Sequence, residues 1–311
     1  MELHIDSYVS ESRNWRTQHI DSASTEEVLR MINDEDELIA EAIAFQIPAI
    51  TVCVDAIVKQ FNAGGRLFYI GGGTSGRVGV LDAAEVSPYF KVPYEMVQGL
   101  IAGGDPALQR DYAGVEDDDQ TVLSELEQID LQPEDSLIGI SSSGGTPYVR
   151  AALEYGKRCG SLTLCLVNNP NSAIGKIADH EILIELGPEV LTGATAFKAG
   201  TATKMVLNMI STAAMIKLGR VYSNLQVCVE ISNAKLKQRV AKALMEAADI
   251  EYENASALLE QSDDNAAIAL IMHACDLSVE EAKQVYNDAK GDIGKALRRE
   301  KNDAHPMIPS L

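Results

Sequence analysis

The sequence predicts an α/β protein: an α-β-α sandwich on a five-stranded parallel sheet, followed by a small C-terminal helical bundle. Three observations carry this reading. Five short apolar runs of strand type alternate with stretches of helical periodicity between residues 66 and 186, as in a parallel sheet covered on both faces by right-handed crossovers. Two of those runs pass straight into glycine- and hydroxyl-rich turns and then into helical patterning. After Asn224 only helical patterning remains.

Taken in order, Ser24 and Glu27 form a capping-box pair, opening a helix that runs through Met31 and resumes after Asn33 and Asp34. From Leu38 to Phe61 apolar residues recur at helical spacing, and Pro48 predicts a kink or a break between two helices. Arg66 to Ile70 reads as the first strand, with Gly71 to Gly76 as its turn and a helix from Arg77 to about Glu85. Val97 to Ile101 precedes a second glycine turn, and Ser136 to Ile140 runs into Ser141 to Thr146 and a helix to about Arg158. Leu162 to Val167 and Glu181 to Leu186 complete the sheet. The segment from Lys198 to Leu218 is apolar on nearly every side, which suits a helix buried against the sheet or a subunit partner. A linking helix follows to about Ala247, then shorter helices near Tyr252–Glu260, Asp264–His273, Ser278–Asp288 and Gly291–Leu297, with a second capping box at Ser278 and Glu281. The expected organisation is therefore N-terminal helices packing on the core (1–62), a sheet domain (63–246), a helical bundle (247–300) and a frayed tail (301–311).

Composition narrows the partners. Lysine and arginine total 26 against 46 acidic residues, a net charge of −20 over 311 residues, which cannot supply the cationic surface that a nucleic-acid backbone or an anionic membrane requires. The amino terminus has no basic region followed by an apolar stretch, and no uninterrupted apolar run approaches the roughly 18 residues of a membrane span, so a cytoplasmic protein is expected. Five cysteines with no CxxC spacing read as reduced thiols, and five histidines never fall at a metal-ligand spacing such as HxxxH. Neither a disulfide nor a metal is expected.

Chemistry is expected at the two turns. Glycine lets the backbone curl so that amides and hydroxyls point inward, while the following helix presents its positive end to an anion. The first turn offers Thr74, Ser75 and Gly76; the second offers Ser141, Ser142, Ser143, Gly144 and Thr146. Neither closes with Gly-Lys-Ser/Thr and neither spells GxGxxG, which argues against an NTPase or a dinucleotide site. One such turn is often only a turn. Two at equivalent places in one sheet point to a single phosphate, and because screening acts over about 8 Å, nearby donors outweigh remote carboxylates.

Many local segments, in one order along nearly the whole chain, resemble the sugar isomerase (SIS) domain and, within it, the bacterial N-acetylmuramic acid 6-phosphate etherases. They include Glu11–Asn14, Met31–Asp36, Gly73–Arg77, Val80–Glu85, Gly99–Gly104, Gly114–Asp117, Thr146–Val149, Gly187–Val190, Lys198–Thr201 and Asn233–Leu236. The resemblance implies cleavage of the D-lactyl ether of N-acetylmuramic acid 6-phosphate, by elimination then hydration, to N-acetylglucosamine 6-phosphate and D-lactate, with no cofactor. It implies Glu116 as the base at C2 and Glu85 as the acid protonating the departing lactate, the first ionised and the second kept protonated by burial. It further implies a homodimer with sites near the subunit interface and a terminal bundle similar to ubiquitin-associated domains. Lys198 reads equally as a contact to the phosphate or a sugar hydroxyl and as a structural lysine opening a long helix.

The chain departs from the family's usual pattern where Gly145 and Ala196 replace arginines, Cys228 an aspartate, and Val86-Ser87-Pro88 a Cys-Pro-Pro. Arginine grips a carboxylate bidentately in a way no small residue imitates, so these changes alter either recognition of the lactyl carboxylate or the interface geometry, or else form a harmless paired swap in which an arginine is lost with its aspartate partner. Two other readings use the same turns: a phosphosugar isomerase or related lyase, and a non-catalytic sugar-phosphate-binding regulator.

Overall fold

The computed structural model describes residues 8–304, with side chains to residue 298. The described residues divide into two compact units. One contains the chain up to Ala84 together with Tyr94–Ser211; the other contains Glu85–Pro93 and the chain from Thr212 onward.

The first unit opens with three short 3-10 turns between Val9 and Ser22, followed by α1 (Thr25–Asp36) and α2 (Leu38–Asn62). The Ser24–Glu27 capping box is present in both directions. The break expected in α1 is absent, and α2 runs unbroken through Pro48. One missing backbone donor is tolerated because Ile39, Ile43, Ile50, Cys53, Ile57 and Phe61 form a buried stripe along the helix. By length and composition the helical segment Thr25–Asn62 contains an 18-residue window apolar enough to cross a membrane, with a mean hydropathy of 1.7. That differs from the count of uninterrupted apolar runs, because Glu41 and Asp55 punctuate the sequence without lowering the average much.

The sheet consists of β1 (Leu67–Gly71), β2 (Val97–Ile101), β3 (Ser136–Ile140), β4 (Leu162–Val167) and β5 (His180–Leu183), all parallel, in the order β2-β1-β3-β4-β5. Helix α3 (Gly73–Phe90) follows β1, α4 (Pro106–Gln109) and α5 (Thr121–Gln128) follow β2, and α6 (Pro147–Cys159) links β3 to β4. Every residue of β1 and β3 is buried, as befits continuous apolar runs. On one face Phe68, Ile70, Leu137, Val149, Leu153, Cys165 and Val167 share a core. The order reverses between β1 and β3, the place where open parallel sheets bind ligands beyond their carboxyl ends. There Gly71 pairs with Ile140, so the two glycine-rich turns leave the sheet side by side. Helix α7 (Lys198–Lys217) begins in this unit.

The second unit holds α8 (Ala234–Ala248), α9 (Tyr252–Gln261), α10 (Ala266–Cys275), α11 (Val279–Asp288) and α12 (Ile293–Ala304). Its core is centred on α10, which is buried from Ala266 to Met272. The Ser278–Glu281 capping box forms. Helix α12 continues to Ala304, through residues expected to fray; residues 305–311 lie outside those described. Cys228, where an aspartate was expected, is buried in this core with its Sγ 3.4 Å from the Tyr286 hydroxyl. Burial pushes its thiol pKa up, which suits an inert core residue.

Candidate phosphate site

A cavity of about 340 Å³ lies where the turns after β1 and β3 meet. Gly72, Gly73, Thr74 and Ser75 line it from the first turn, and Ser141, Ser142, Ser143 and Thr146 from the second. Ser75 and Ser143 thus face one hollow, at the amino ends of α3 and α6, where free amides and helix dipoles favour an anion.

The second turn is preorganised from below. Ser141 Oγ lies 2.9 Å from Thr146 Oγ1 and accepts the Gly144 N–H, while the Ser142 carbonyl accepts from the Asn168 N–H and the Asn169 side chain. Ser142 Oγ is buried with no hydrogen-bond partner among the described residues, an unmet demand that a ligand oxygen would satisfy.

Two glycines expected to contact the phosphate serve the backbone instead. A Cβ on Gly76 would stand 2.6 Å from both the Gly71 carbonyl and Ile101 Cγ1, so its absence lets α3 close onto the strand ends. Gly144 adopts φ +68° and packs its backbone against Ser172. Neither lines the cavity.

Glu116 does line it. It sits on the 3-10 turn Val115–Asp117, set up by Gly114 at φ 81°. Its side chain rests on the first turn so closely that a Cβ on Gly72 would come within 2.6 Å of Glu116 Cγ, and one on Gly73 within 2.8 Å of Oε1. Partial burial of the carboxylate raises its pKa; Asp111 and Asp117 add repulsion and Arg77 opposes them. Arg77, also in the lining, is already engaged with the carbonyls of Ala107 and Arg110 and lies 3.5 Å from Asp111.

Two expected site residues stand elsewhere. Glu85 is not among the residues lining this cavity; it lies on α3 where the chain enters the second unit. Lys198 takes the structural of its two expected roles. It is 1% exposed, with Nζ 2.6 Å from Glu35 Oε2 and 2.9 Å from the Leu186 carbonyl. Arg16 takes the other Glu35 oxygen at 2.6 Å, and Glu189 caps α7 through the amides of Lys198 and Ala199. Although burial by itself raises the Glu35 pKa, hydrogen bonds from Lys198, Asn14 and Arg16 more than offset it and hold it low.

The cavity also recruits residues not singled out as site residues: Glu11, Asp111, Thr195 and Ala196. Ala196 additionally borders a neighbouring, more apolar cavity of about 700 Å³. At Gly145 a Cβ would stand 3.3 Å from the Tyr8 hydroxyl and 3.7 Å from Ser143 Oγ, so the glycine lets Tyr8 pack closely against the turn where the family's usual arginine would stand. Among the described residues no cluster of His, Cys, Asp or Glu is arranged to hold a metal.

The family model of the glucokinase regulatory protein N-terminal SIS domain matches residues 49–157, and the SIS domain model matches residues 120–213. The solved phosphoheptose isomerase of Francisella tularensis covers 61% of this chain and 100% of its own, at 16% identity and a TM-score of 0.48. N-acetylmuramic acid 6-phosphate etherase 1 of Bacillus licheniformis is 45% identical over 294 residues, 94% of this chain and 97% of that protein. The Rhizobium rhizogenes etherase is 45% identical over 293 residues, 94% and 95% of the two chains. With identity at that level over nearly its whole length, the chain belongs to the N-acetylmuramic acid 6-phosphate etherase family and carries its SIS domain.

Proposed function

We propose that this protein is a carbon–oxygen lyase that cleaves the D-lactyl ether of N-acetylmuramic acid 6-phosphate in the cytoplasm, working as a homodimer. The observation that carries the reading is the meeting of two hydroxyl-bearing turns and the Glu116 carboxylate around one cavity, in a chain 45% identical to named etherases.

The chemistry follows from the substrate. An alkyl ether resists direct displacement, but the open-chain sugar has an aldehyde at C1 that acidifies the C2 proton. With the phosphate held by Thr74, Ser75, Ser141, Ser142, Ser143 and Thr146, the carboxylate of Glu116 takes that proton. The C2–C3 double bond forms as the C3–oxygen bond breaks, and a second carboxyl group gives the lactyl oxygen its proton. Water then adds across the double bond, hydroxyl to C3 and proton to C2, giving N-acetylglucosamine 6-phosphate. Glu116, with its pKa raised toward the working range, suits the base.

Glu85 is the proposed acid, and we infer that it reaches the cavity of a second copy, since it does not line its own chain's cavity. Exposed apolar side chains on α2, among them Phe45 at 75% exposure and Val52 at 49%, offer surface for such an association.

Incubation of the protein with N-acetylmuramic acid 6-phosphate in oxygen-18 water tests the reaction. Released D-lactate together with one heavy oxygen at C3 of the amino sugar is expected. Lactate beside unlabelled sugar would exclude elimination and hydration, and no lactate would exclude the etherase.

A further inference from the structure

We infer that Glu11 is a substrate-contacting residue, accepting hydrogen bonds from hydroxyl groups on the carbon chain of the bound sugar and so selecting a phosphorylated sugar over phosphate itself. This rests on the sugar-phosphate reading above and adds a specificity residue to it.

Glu11 ends the first 3-10 turn, Val9–Glu11, and lines the phosphate cavity although it lies more than sixty residues before the first glycine turn. The segment that carries it is strapped down by buried hydrogen bonds. The Ser10 N–H donates to Asn169 Oδ1 at 3.2 Å, and Asn169 Nδ2 returns a bond to Ser10 Oγ at 2.9 Å. That same Asn169 amide also donates to the Ser142 carbonyl at 2.9 Å, so one side chain ties the strap to the phosphate turn itself. Further along, Asn14 donates to the Glu189 carbonyl and Thr17 to the Val190 carbonyl.

The polar groups on either side of Glu11 are therefore used to hold the strap. The Glu11 carboxylate makes no hydrogen bond or ion pair with any described residue. Anchoring of this kind places a side chain firmly and lowers the cost of ordering it when a ligand binds.

Charge decides which part of the ligand it faces. A carboxylate only accepts hydrogen bonds, and against a phosphate it would repel. The cavity's guanidinium, Arg77, is committed to two carbonyls and Asp111, so it does not neutralise Glu11. The phosphate is held by the hydroxyl turns; the uncharged, hydroxyl-rich carbon chain is the part of a sugar phosphate that supplies donors to a carboxylate. Inorganic phosphate offers the first contact and not the second.

Binding of N-acetylglucosamine 6-phosphate and of inorganic phosphate to the full chain, by titration calorimetry, tests this with Glu11→Ala and Glu11→Gln. The expected result is at least tenfold weaker binding of the sugar phosphate by Glu11→Ala and a smaller loss by Glu11→Gln, whose amide oxygen still accepts. Inorganic phosphate should bind as before or more tightly, at an unchanged Tm. Unaltered sugar-phosphate binding in both variants overturns the assignment, as does a parallel loss of both ligands or a lowered Tm, which would mark a structural strap. A wild-type protein that binds the sugar phosphate yet releases no lactate overturns the etherase reading alone, while selective loss at Glu11 would still support the contact. Failure of the wild type to bind either ligand overturns both.

Discussion

Glu116 concentrates the residue-scale argument, because its position and its proton affinity have separate causes. Gly72 and Gly73 leave the space its side chain occupies, and partial burial followed by repulsion from Asp111 and Asp117 lifts its pKa. As the proposed base, Glu116 would work only when ionised, so kcat/KM should fall as pH drops through that raised value. Asp111→Asn removes one repelling charge and should move this acid limb to lower pH; a limb that stays in place or moves upward would contradict Glu116 as the titrating base. Much of this site was legible from residue chemistry, since two hydroxyl- and glycine-rich turns stand at equivalent places in one sheet. Glu11 was not. No spacing rule connects it to turns so far along the chain, and it becomes visible only once Asn169 ties the strap to Ser142. Lys198 was open between two roles for a related reason: a lysine opening a helix looks the same whether it awaits a phosphate or closes on Glu35.

Elements were easiest to read where a local rule has one outcome. Both capping boxes form at the serines that announce them, and β3 and β4 have the bounds their apolar runs give. Pro48 was ambiguous because the loss of one helical hydrogen bond competes with a long buried stripe, and the stripe wins. The last strand ends at Leu183 rather than Leu186, although the Ile184 N–H still bonds the Val167 carbonyl. The link joining α1 to the start of α7 is the buried Glu35–Lys198 pair, and it carries a stability prediction. Lys198→Met leaves Glu35 with Arg16 as its remaining cationic partner and should cost about 3 kcal/mol, read from denaturant or thermal unfolding. Because the Glu35 pKa is held low in the fold, its contribution is present above the unfolded carboxylate value and is lost as pH falls through the lowered one. The variant's deficit should therefore shrink in acid. Unchanged stability at neutral pH would show that the pair contributes nothing net.

For the whole molecule, the parallel sheet fixes the site: its order reverses between β1 and β3, and both phosphate turns leave from there. The parallel sheet and ligands beyond its carboxyl ends followed from alternating patterns in the sequence; the strand order did not, because local patterning does not say which strands pair. The location of Glu85 did not, because the resemblance pairs it with Glu116 without saying which copy supplies it, and one chain does not bring Glu85 into its own cavity's lining. In the proposed dimer each complete site would take its glycine-rich turns and Glu116 from one copy and Glu85 from the other. Co-expression of Glu85→Ala and Glu116→Ala chains tests this most directly. Each variant alone should release essentially no D-lactate. Mixed dimers should contain one intact site of two, and random pairing restores about a quarter of the wild-type rate. Mixed preparations as inactive as the parent variants, with dimers shown to have exchanged chains, would contradict the shared site.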